Sequence, residues 1–249
     1  MESVYYLIPL FFLTALIYSS VGFGGGSTYL ALLFLFQVPY TSIPKIALIC
    51  NLLVVSGGLY HYIKTKNLSL RLVLPFAIIS VPMAYLGGRT PISKEVFLVL
   101  LGISLLAAGT RMLFSKKLVT SSGSIDKSKA WGLGLPIGGA LGFLSGFVGI
   151  GGGIFLSPIM YFLGWGRPKQ IAAASSFFIF INSLAGLLGQ LTKASSGIEL
   201  QWLMPLMIAV LLGGQVGSRL SIGILSPFNL QRITAIVVLI VASRILLGF

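Results

Sequence analysis

The chain contains the same glycine-rich stretch twice, and these glycines are the residues with the most unusual chemistry. Residues 21–27 read VGFGGGS and residues 148–154 read VGIGGGI. A glycine inside a helix costs about 1 kcal/mol relative to alanine, so three in a row predict a break within an apolar helix. A helix that begins after such a break presents free N–H groups and the positive end of its dipole, which can bind an oxyanion.

The two breaks, together with polar residues inside apolar segments, are predicted to bind a small anionic substrate. The backbone candidates are Gly24, Gly25, Gly26, Ser27, Gly151, Gly152 and Gly153, and the side-chain candidates are Asn51, Ser175, Ser176 and Asn182. The alternative for the glycines is close helix crossing, and the alternative for the side chains is a hydrogen bond within their own helix. The two asparagines need partners wherever they are buried, because an unpaired amide is costly in an apolar medium.

Four basic residues at the ends of apolar segments are candidates to attract an anion into a vestibule on each side of the membrane. They are Lys45, Arg89, Lys169 and Arg219. Their alternative role is snorkelling, in which the long side chain carries its charge to the membrane interface.

Acidic residues are few and lie away from the middle of every apolar segment. They are Glu2, Glu95, Asp126 and Glu199. Their positions argue against a carboxylate proton relay and against paired-carboxylate or metal-dependent catalysis. The single Cys50 provides neither an internal disulfide nor a multi-cysteine metal site, so we expect no metal and no cofactor.

Composition predicts an all-α integral membrane protein in contact with the lipid bilayer. Hydrophobic residues make up 56% of the 249-residue chain and charged residues 8%, and the mean hydropathy is +1.02. Such values are typical of membrane-spanning proteins. The net charge of +13 comes from Lys and Arg scattered over short loops, a pattern that sets membrane orientation and does not indicate nucleic-acid binding.

Eight apolar segments organise the chain, at about residues 4–37, 44–63, 70–88, 95–114, 131–163, 170–191, 200–218 and 229–249. The first and the fifth are too long for one crossing, because residues 4–37 as a single helix would span about 51 Å against a hydrocarbon core of about 30 Å. We therefore expect the glycine stretches to divide these two segments. In the fifth, Gly134, Gly138, Gly142 and Gly146 form a small-residue ridge for close packing of a neighbouring helix.

The sequence repeats beyond the glycines, which predicts two homologous halves. Pro44-Lys45 recurs as Pro168-Lys169, and the G-x-R element that ends at Arg89 recurs at Arg219. The predicted organisation is residues 1–114 as the first repeat, residues 115–130 as a polar cytoplasmic linker and residues 131–249 as the second repeat. Two spans separate the basic loops 64–71 and 115–130, so the loops share one side of the membrane, and their charge makes that side cytoplasmic. If each broken segment folds back as a hairpin, the repeats are inverted, which is the arrangement that the distribution of basic residues favours. If each crosses once, the repeats are parallel.

The duplicated V-G-[FI]-G-G-G, the P-K pairs, the G-x-R elements and the basic central loop resemble the TauE/SafE family of sulfite exporters, also described as a toluene sulfonate uptake permease family. The resemblance implies a multi-pass carrier in the plasma (inner) membrane for sulfite, thiosulfate, organosulfonates or related oxyanions, with H⁺ or Na⁺ as candidate coupling ions. It names no oligomeric state. An anion channel and a carrier of another small organic anion stay open as alternatives, whereas a membrane enzyme is disfavoured by the positions of the acidic residues described above.

The orientation is open to cysteine labelling in intact cells. We expect thiols introduced into loops 64–71 and 115–130 to be protected from a membrane-impermeant reagent, and thiols at positions 89 and 219 to react from opposite faces. Labelling of position 122 from outside would reverse the orientation, and same-side labelling of positions 89 and 219 would indicate parallel repeats.

Overall fold

A computed structural model of the chain describes residues 2–21, 24–113, 127–193, 200–219 and 227–247, and most of them lie in α-helices. The described part contains ten helices: α1 (Glu2–Val21), α2 (Gly26–Leu35), α3 (Ile43–Lys64), α4 (Leu70–Arg89), α5 (Lys94–Leu113), α6 (Lys127–Val148), α7 (Gly153–Phe162), α8 (Pro168–Leu191), α9 (Leu200–Arg219) and α10 (Pro227–Leu247). The predicted all-α class is confirmed. Eight apolar segments give ten helices because the first and the fifth are broken.

Several of these helices are long and apolar enough to cross a membrane. Within the described ranges, four qualify by length and hydropathy: Ile43–Lys64, Leu70–Arg89, Ala130–Val148 and Pro168–Leu191. Shorter apolar helical stretches accompany them at Tyr5–Ser19, Gly26–Leu35, Leu203–Ser218 and Val238–Leu247. Of the predicted linker, residues 127–130 form the first turn of α6, and residues 115–126 lie outside the described part.

Each break is a left-handed glycine that starts a short helix. Gly25 precedes α2 with φ of 81°, and Gly152 precedes α7 with φ of 73°. Glycine adopts this region without the steric cost that a Cβ imposes. Both short helices have 10 residues, which corresponds to about 15 Å, or roughly half the hydrocarbon thickness. Neither helix crosses the membrane by itself.

Each broken segment folds back on itself. In the first, the Tyr18 hydroxyl hydrogen-bonds with Thr28 Oγ1 at 2.9 Å, and the Phe11 ring stacks on Tyr29 at 4.7 Å between centroids. Later residues of α2 thus meet earlier residues of α1, as in a hairpin. In the second segment, Gly134 near the start of α6 lies against Pro75 of α4.

The end of the second segment returns to the same part of α4. Trp165, just after α7, packs against Phe76 with ring centroids 5.9 Å apart. Gly166 lies against Leu72. Since α6 starts and α7 ends beside the first half of α4, this segment is also a hairpin.

Glycine ridges allow the closest helix contacts in the bundle. Gly138, Gly142 and Gly146 of α6 lie directly against the carbonyl oxygens of Phe76, Ser80 and Ala84 of α4. The residue numbers of the contacting pairs increase together along both helices, so α6 and α4 run parallel. This confirms the predicted packing role of the ridge. Gly213 and Gly217 of α9 make the same kind of contact with the carbonyls of Phe12 and Leu16 in α1.

Helices α3 and α8 cross the centre of the bundle in opposite directions. Both begin with a Pro-Lys pair, and proline is well tolerated in a first turn because its missing N–H has no helical partner there. Leu48 of α3 lies against Gly186 of α8, and Lys45 shares a cavity with Lys193, just past the end of α8. The N-terminal end of α3 therefore lies beside the C-terminal end of α8.

Helix α9 runs parallel to α3. Val54 lies next to Gly214, and Gly57 lies next to Gln215 and Ser218. The end of α9 at Arg219 is thus near the C-terminal end of α3. Arg89 lies near the N-terminal end of α3, where it lines the same cavity as Lys45.

The ridge can be tested with a pair of alanine variants on α6. A Cβ at Gly138 would overlap the Phe76 carbonyl, whereas a Cβ at Gly132 meets nothing within 4 Å. We expect Gly138→Ala to destabilise the protein by roughly 1–3 kcal/mol through overpacking. Gly132→Ala should leave stability equal or slightly higher, because alanine is the better helix former. Thermal unfolding in detergent measures both, and equal melting temperatures for the two variants would contradict close packing at the ridge.

Candidate functional site

The two glycine breaks meet tip to tip in the middle of the bundle. A Cβ built on Gly26 would lie 2.6 Å from the carbonyl oxygen of Ile150, which belongs to the second break. Ile154 of α7 and Gly25 of the first break line one small cavity. Residues far apart in the chain therefore form a single site.

The side-chain amide of Asn51 lies between the two tips. A Cβ on Gly24 would lie 2.6 Å from Asn51 Oδ1, and a Cβ on Gly26 would lie 2.6 Å from Nδ2. From the second break, a Cβ on Gly151 would lie 2.8 Å from the same Nδ2. A side chain at any of these positions would displace the amide, and at Gly26 it would also meet the Ile150 carbonyl.

Asn51 is fully buried, and its amide has no hydrogen-bond partner within the described part of the chain. Leaving both an acceptor and a donor of a buried amide unpaired is unfavourable, by roughly 1–3 kcal/mol per group. A substrate or water between the tips would supply the missing partners. Asn51 is therefore the predicted side chain that the structure places most centrally.

The site is closed in this conformation. The cavity between the tips has a volume of about 10 Å³, at the lower limit for a single water molecule. Its walls are Tyr18, Gly24, Gly25, Gly26, Ser27, Asn51, Ile150, Ile154 and Ile179. An oxyanion fits only after the tips separate.

The predicted backbone donors differ in their availability. At the start of α2, the Gly25 carbonyl accepts the N–H groups of Thr28 and Tyr29 at 3.0 Å, so the helix bonding begins beyond Gly26 and Ser27. At the second break, the Gly153 N–H donates to the Gly151 carbonyl at 3.0 Å. The Gly153 N–H is therefore engaged in this conformation, and an anion could accept from it only after that bond is released.

Two of the predicted α8 side chains bond within their own helix, as the alternative interpretation states. Ser176 Oγ donates to the Ala172 carbonyl, and Asn182 Nδ2 donates to the Phe178 carbonyl, each at 2.9 Å. Ser175 lies next to the second break, since its carbonyl would be 2.9 Å from a Cβ on Gly153.

Ser183 also belongs to the site, although its sequence context did not single it out. Its Oγ would lie 3.4 Å from a Cβ on Gly151, and it has no hydrogen-bond partner among the described residues. A single serine in an apolar helix carries little signal. Its adjacency to Asn182 in the sequence was the only available indication.

The four predicted vestibule cations do not behave alike. Lys45 and Arg89 line one cavity of about 640 Å³. Lys169 is exposed in the first turn of α8, at the opposite end of that helix from Lys193. Helix α9 ends at Arg219, whose side chain is outside the described part. The cavity containing Lys45 and Arg89 is called the vestibule below.

The vestibule also contains two residues that the sequence pattern did not indicate. Lys193 lies just after α8, and its Nζ donates to Gln190 Oε1 at 3.0 Å. Gln190 is buried, and its Nε2 donates to the Gly146 carbonyl at 2.9 Å. Burial, and then the nearby charge of Lys45, lowers the pKa of Lys193 to about 8.

Broken apolar helices around a buried polar centre are typical of multi-pass membrane transporters. The chain belongs to the sulfite exporter TauE/SafE family, whose family model matches residues 7–245. This membership confirms the resemblance seen in the sequence, and the family is one of transporters and not of enzymes.

Relatives from bacteria and archaea are also described as transporters. The chain is 33% identical over 240 residues to "probable membrane transporter protein y4hK" of Sinorhizobium fredii, and the match covers 95% of both chains. It is 30% identical over 204 residues to "probable membrane transporter protein MJ0441" of Methanocaldococcus jannaschii, covering 77% of this chain and 75% of that one. It is 26% identical over 244 residues to "probable membrane transporter protein YunE" of Bacillus subtilis, covering 86% and 87%. No solved structure matches the chain.

The contact between Asn51 and the first break can be measured by a double-mutant cycle. Gly24→Ala should destabilise the protein, because its Cβ would be 2.6 Å from Asn51 Oδ1 and its other near neighbours stand at 3.2 Å. In an Asn51→Ala background most of that cost should disappear, which gives a coupling of roughly 0.5–3 kcal/mol. Gly58→Ala on α3, with nothing within 4 Å, is the control. If Gly24→Ala destabilised the protein equally in both backgrounds, the Asn51 amide would not lie against Gly24.

Proposed function

We propose that the protein is a secondary transporter that moves a small sulfur-containing oxyanion across the plasma membrane by alternating access. The anion binds between the two glycine breaks, where it accepts hydrogen bonds from Asn51 Nδ2 and from backbone N–H groups at the start of α2 and α7. Sulfite, thiosulfate and organosulfonates are the candidate substrates, and the sulfite exporter description of the family supports this choice.

One observation carries the proposal: two separate hairpins bring their glycine breaks together around one fully buried amide that has no hydrogen-bond partner among the described residues. Packing alone would favour apolar contacts between the tips, since an unpaired amide in an apolar medium is costly. Helix starts supply donors without a full positive charge, which suits an anion that must be released as well as bound.

The contacts support inverted repeats. Gly87 of α4 lies against the Phe143 carbonyl in α6, and Gly217 of α9 lies against the Leu16 carbonyl in α1. In the alignment of the two halves, Gly87 matches Gly217 and Phe143 matches Leu16. The two contacts are therefore equivalent. The corresponding helices α3 and α8 run in opposite directions, as an inverted pair requires. The two hairpins then enter the membrane from opposite faces, and their tips meet near the membrane midplane.

A closed centre below an open vestibule fits a carrier in one of its two states. Asn51 follows Lys45 by six residues on α3, which corresponds to about 9 Å along the helix axis. The vestibule of about 640 Å³ therefore ends roughly two turns before the closed site of about 10 Å³. With loops 64–71 in the cytoplasm, the vestibule opens to the outside, and the transport cycle must part the tips.

Alanine substitution at the breaks tests the site. We expect Gly25→Ala and Gly152→Ala each to abolish anion flux into proteoliposomes and the ligand-induced rise in melting temperature. Their Cβ atoms would lie 3.0 Å from Thr14 and 2.9 Å from Phe178, at residues with positive φ. The measurements use purified protein with sulfite, thiosulfate, sulfoacetate and taurine as the probes.

Gly166→Ala is the matched control for backbone strain. Gly166 has φ of 96° and a neighbour 3.0 Å from its Cβ position, but it lies in the loop after α7. The Gly166→Ala variant should be less stable than the wild type but should still transport the anion. Normal flux through both break variants would refute binding at the tips. Flux that saturates with substrate fits a carrier, whereas large single-channel currents would establish the channel alternative.

A further inference from the structure

The vestibule combines a cluster of positive charges with an absence of acidic side chains among its described lining residues. Arg89 is exposed at the rim, Lys193 is half-buried, and Lys45 is only 2% exposed at the floor. The remaining described residues in contact with the cavity are polar or apolar and none is acidic. Like charges gathered in a partly buried cavity repel one another, and a bound anion would reduce that repulsion.

Snorkelling does not explain this arrangement. A snorkelling lysine carries its ammonium out to the water and headgroups, and Lys169 at the other end of the bundle is exposed in this way. Lys45 is buried instead, and Lys193 is tied down by its hydrogen bond to Gln190. Both side chains therefore line the cavity.

Gln190 holds Lys193 from a fixed point in the fold. Its amide oxygen accepts the Lys193 ammonium at 3.0 Å, while its amide nitrogen donates to the Gly146 carbonyl at 2.9 Å. Gly146 lies in the last turn of α6, shortly before the second glycine break. One buried side chain thus connects the vestibule cation to the hairpin that carries the second break.

We propose that the vestibule is a second anion-binding site, separate from the breaks, in which Lys193, Lys45 and Arg89 bind an oxyanion group and Gln190 acts as the positioning residue for Lys193. The ligand class is a small anion with a fully ionised oxyanion head. The apolar walls, with Tyr40 and Phe97 at 5.9 Å between ring centroids, accept an organic body on that head. This inference rests on the proposed anion transport, but the two sites can be tested separately.

The state of Lys193 makes the site sensitive to pH. The pKa of about 8 means that the ammonium is present below that pH and is lost as the pH rises through it. A bound anion raises the pKa of Lys193, so the loss of binding falls at and above about pH 8. The other charged or titratable groups that face the cavity are Lys45 from α3, Arg89 from α4 and Tyr40 before α3, while Phe97 of α5 and Phe147 of α6 are apolar.

The experiment measures equilibrium binding of thiosulfate and of benzenesulfonate to the full-length protein in phosphatidylcholine nanodiscs, from about pH 7 to about pH 9. Both probes stay ionised throughout, so any pH dependence comes from the protein. Wild-type protein should bind, with affinity falling above about pH 8. Lys193→Met should weaken binding at pH 7 by roughly ten- to hundredfold, as expected for the loss of one charged hydrogen-bonding partner. Lys193→Arg should keep the affinity and lose the decline at high pH.

Three further variants distinguish binding in the vestibule from binding elsewhere in the protein. Gln190→Leu should shift the decline in affinity to lower pH, because Lys193 loses the acceptor that favours its ammonium. Lys169→Met, at the exposed lysine on the other end of the bundle, should change nothing. Gly152→Ala should abolish flux but retain binding in the vestibule.

Unchanged affinity and pH profile in Lys193→Met would overturn the proposal, as would an absence of probe binding to the wild type. Binding lost in Gly152→Ala but retained in Lys193→Met would locate the only site at the breaks, which contradicts this inference and leaves the proposed function intact. Retained flux in Gly152→Ala, with binding lost in Lys193→Met, would contradict the proposed site at the breaks and support the vestibule.

Discussion

The central constraint in this protein is the close approach of two helix breaks to one amide group. The Asn51 amide occupies space that a Cβ at Gly24, Gly26 or Gly151 would need. Glycine at the breaks leaves room for this amide, and the helices that follow the breaks are short because the hairpins meet in the middle. The ridges on α6 and α9 serve the same end, since they let the long helices pack closely enough around the hairpins for the tips to touch.

Much of this arrangement could be predicted from local sequence. Three consecutive glycines in an apolar segment are incompatible with a continuous helix, so the two breaks are evident from the residues alone. The spacing of Gly138, Gly142 and Gly146 defines a packing face, and α4 does pack there. Both inferences concern a single helix, so the spacing of its residues and their helix propensity are enough to make them.

Contacts between distant segments were harder to predict. Nothing in the local pattern says that Gly26 meets Ile150, that the cavity between the tips is closed, or that Lys193 joins Lys45 and Arg89 in one cavity. Lys193 lies just past the last helical turn, where a cation commonly serves only as an interfacial anchor. The start of α6 at Lys127 also differs from the expected boundary at residue 131, because a polar first turn carries no hydrophobic signal.

The two Pro-Lys pairs show how equivalent sequences come to differ in environment. Lys45 is buried at the floor of the vestibule, and Lys169 is exposed at the other end of the bundle. Similar sequences in similar helices would have similar exposure if the two halves adopted one conformation. Under the proposed alternating access, the halves adopt different conformations at any moment and exchange them during the cycle. Opening the second vestibule would then enclose Lys169 as Lys45 is released. The difference in exposure between these two lysines is therefore what the proposed cycle expects of one of its two states.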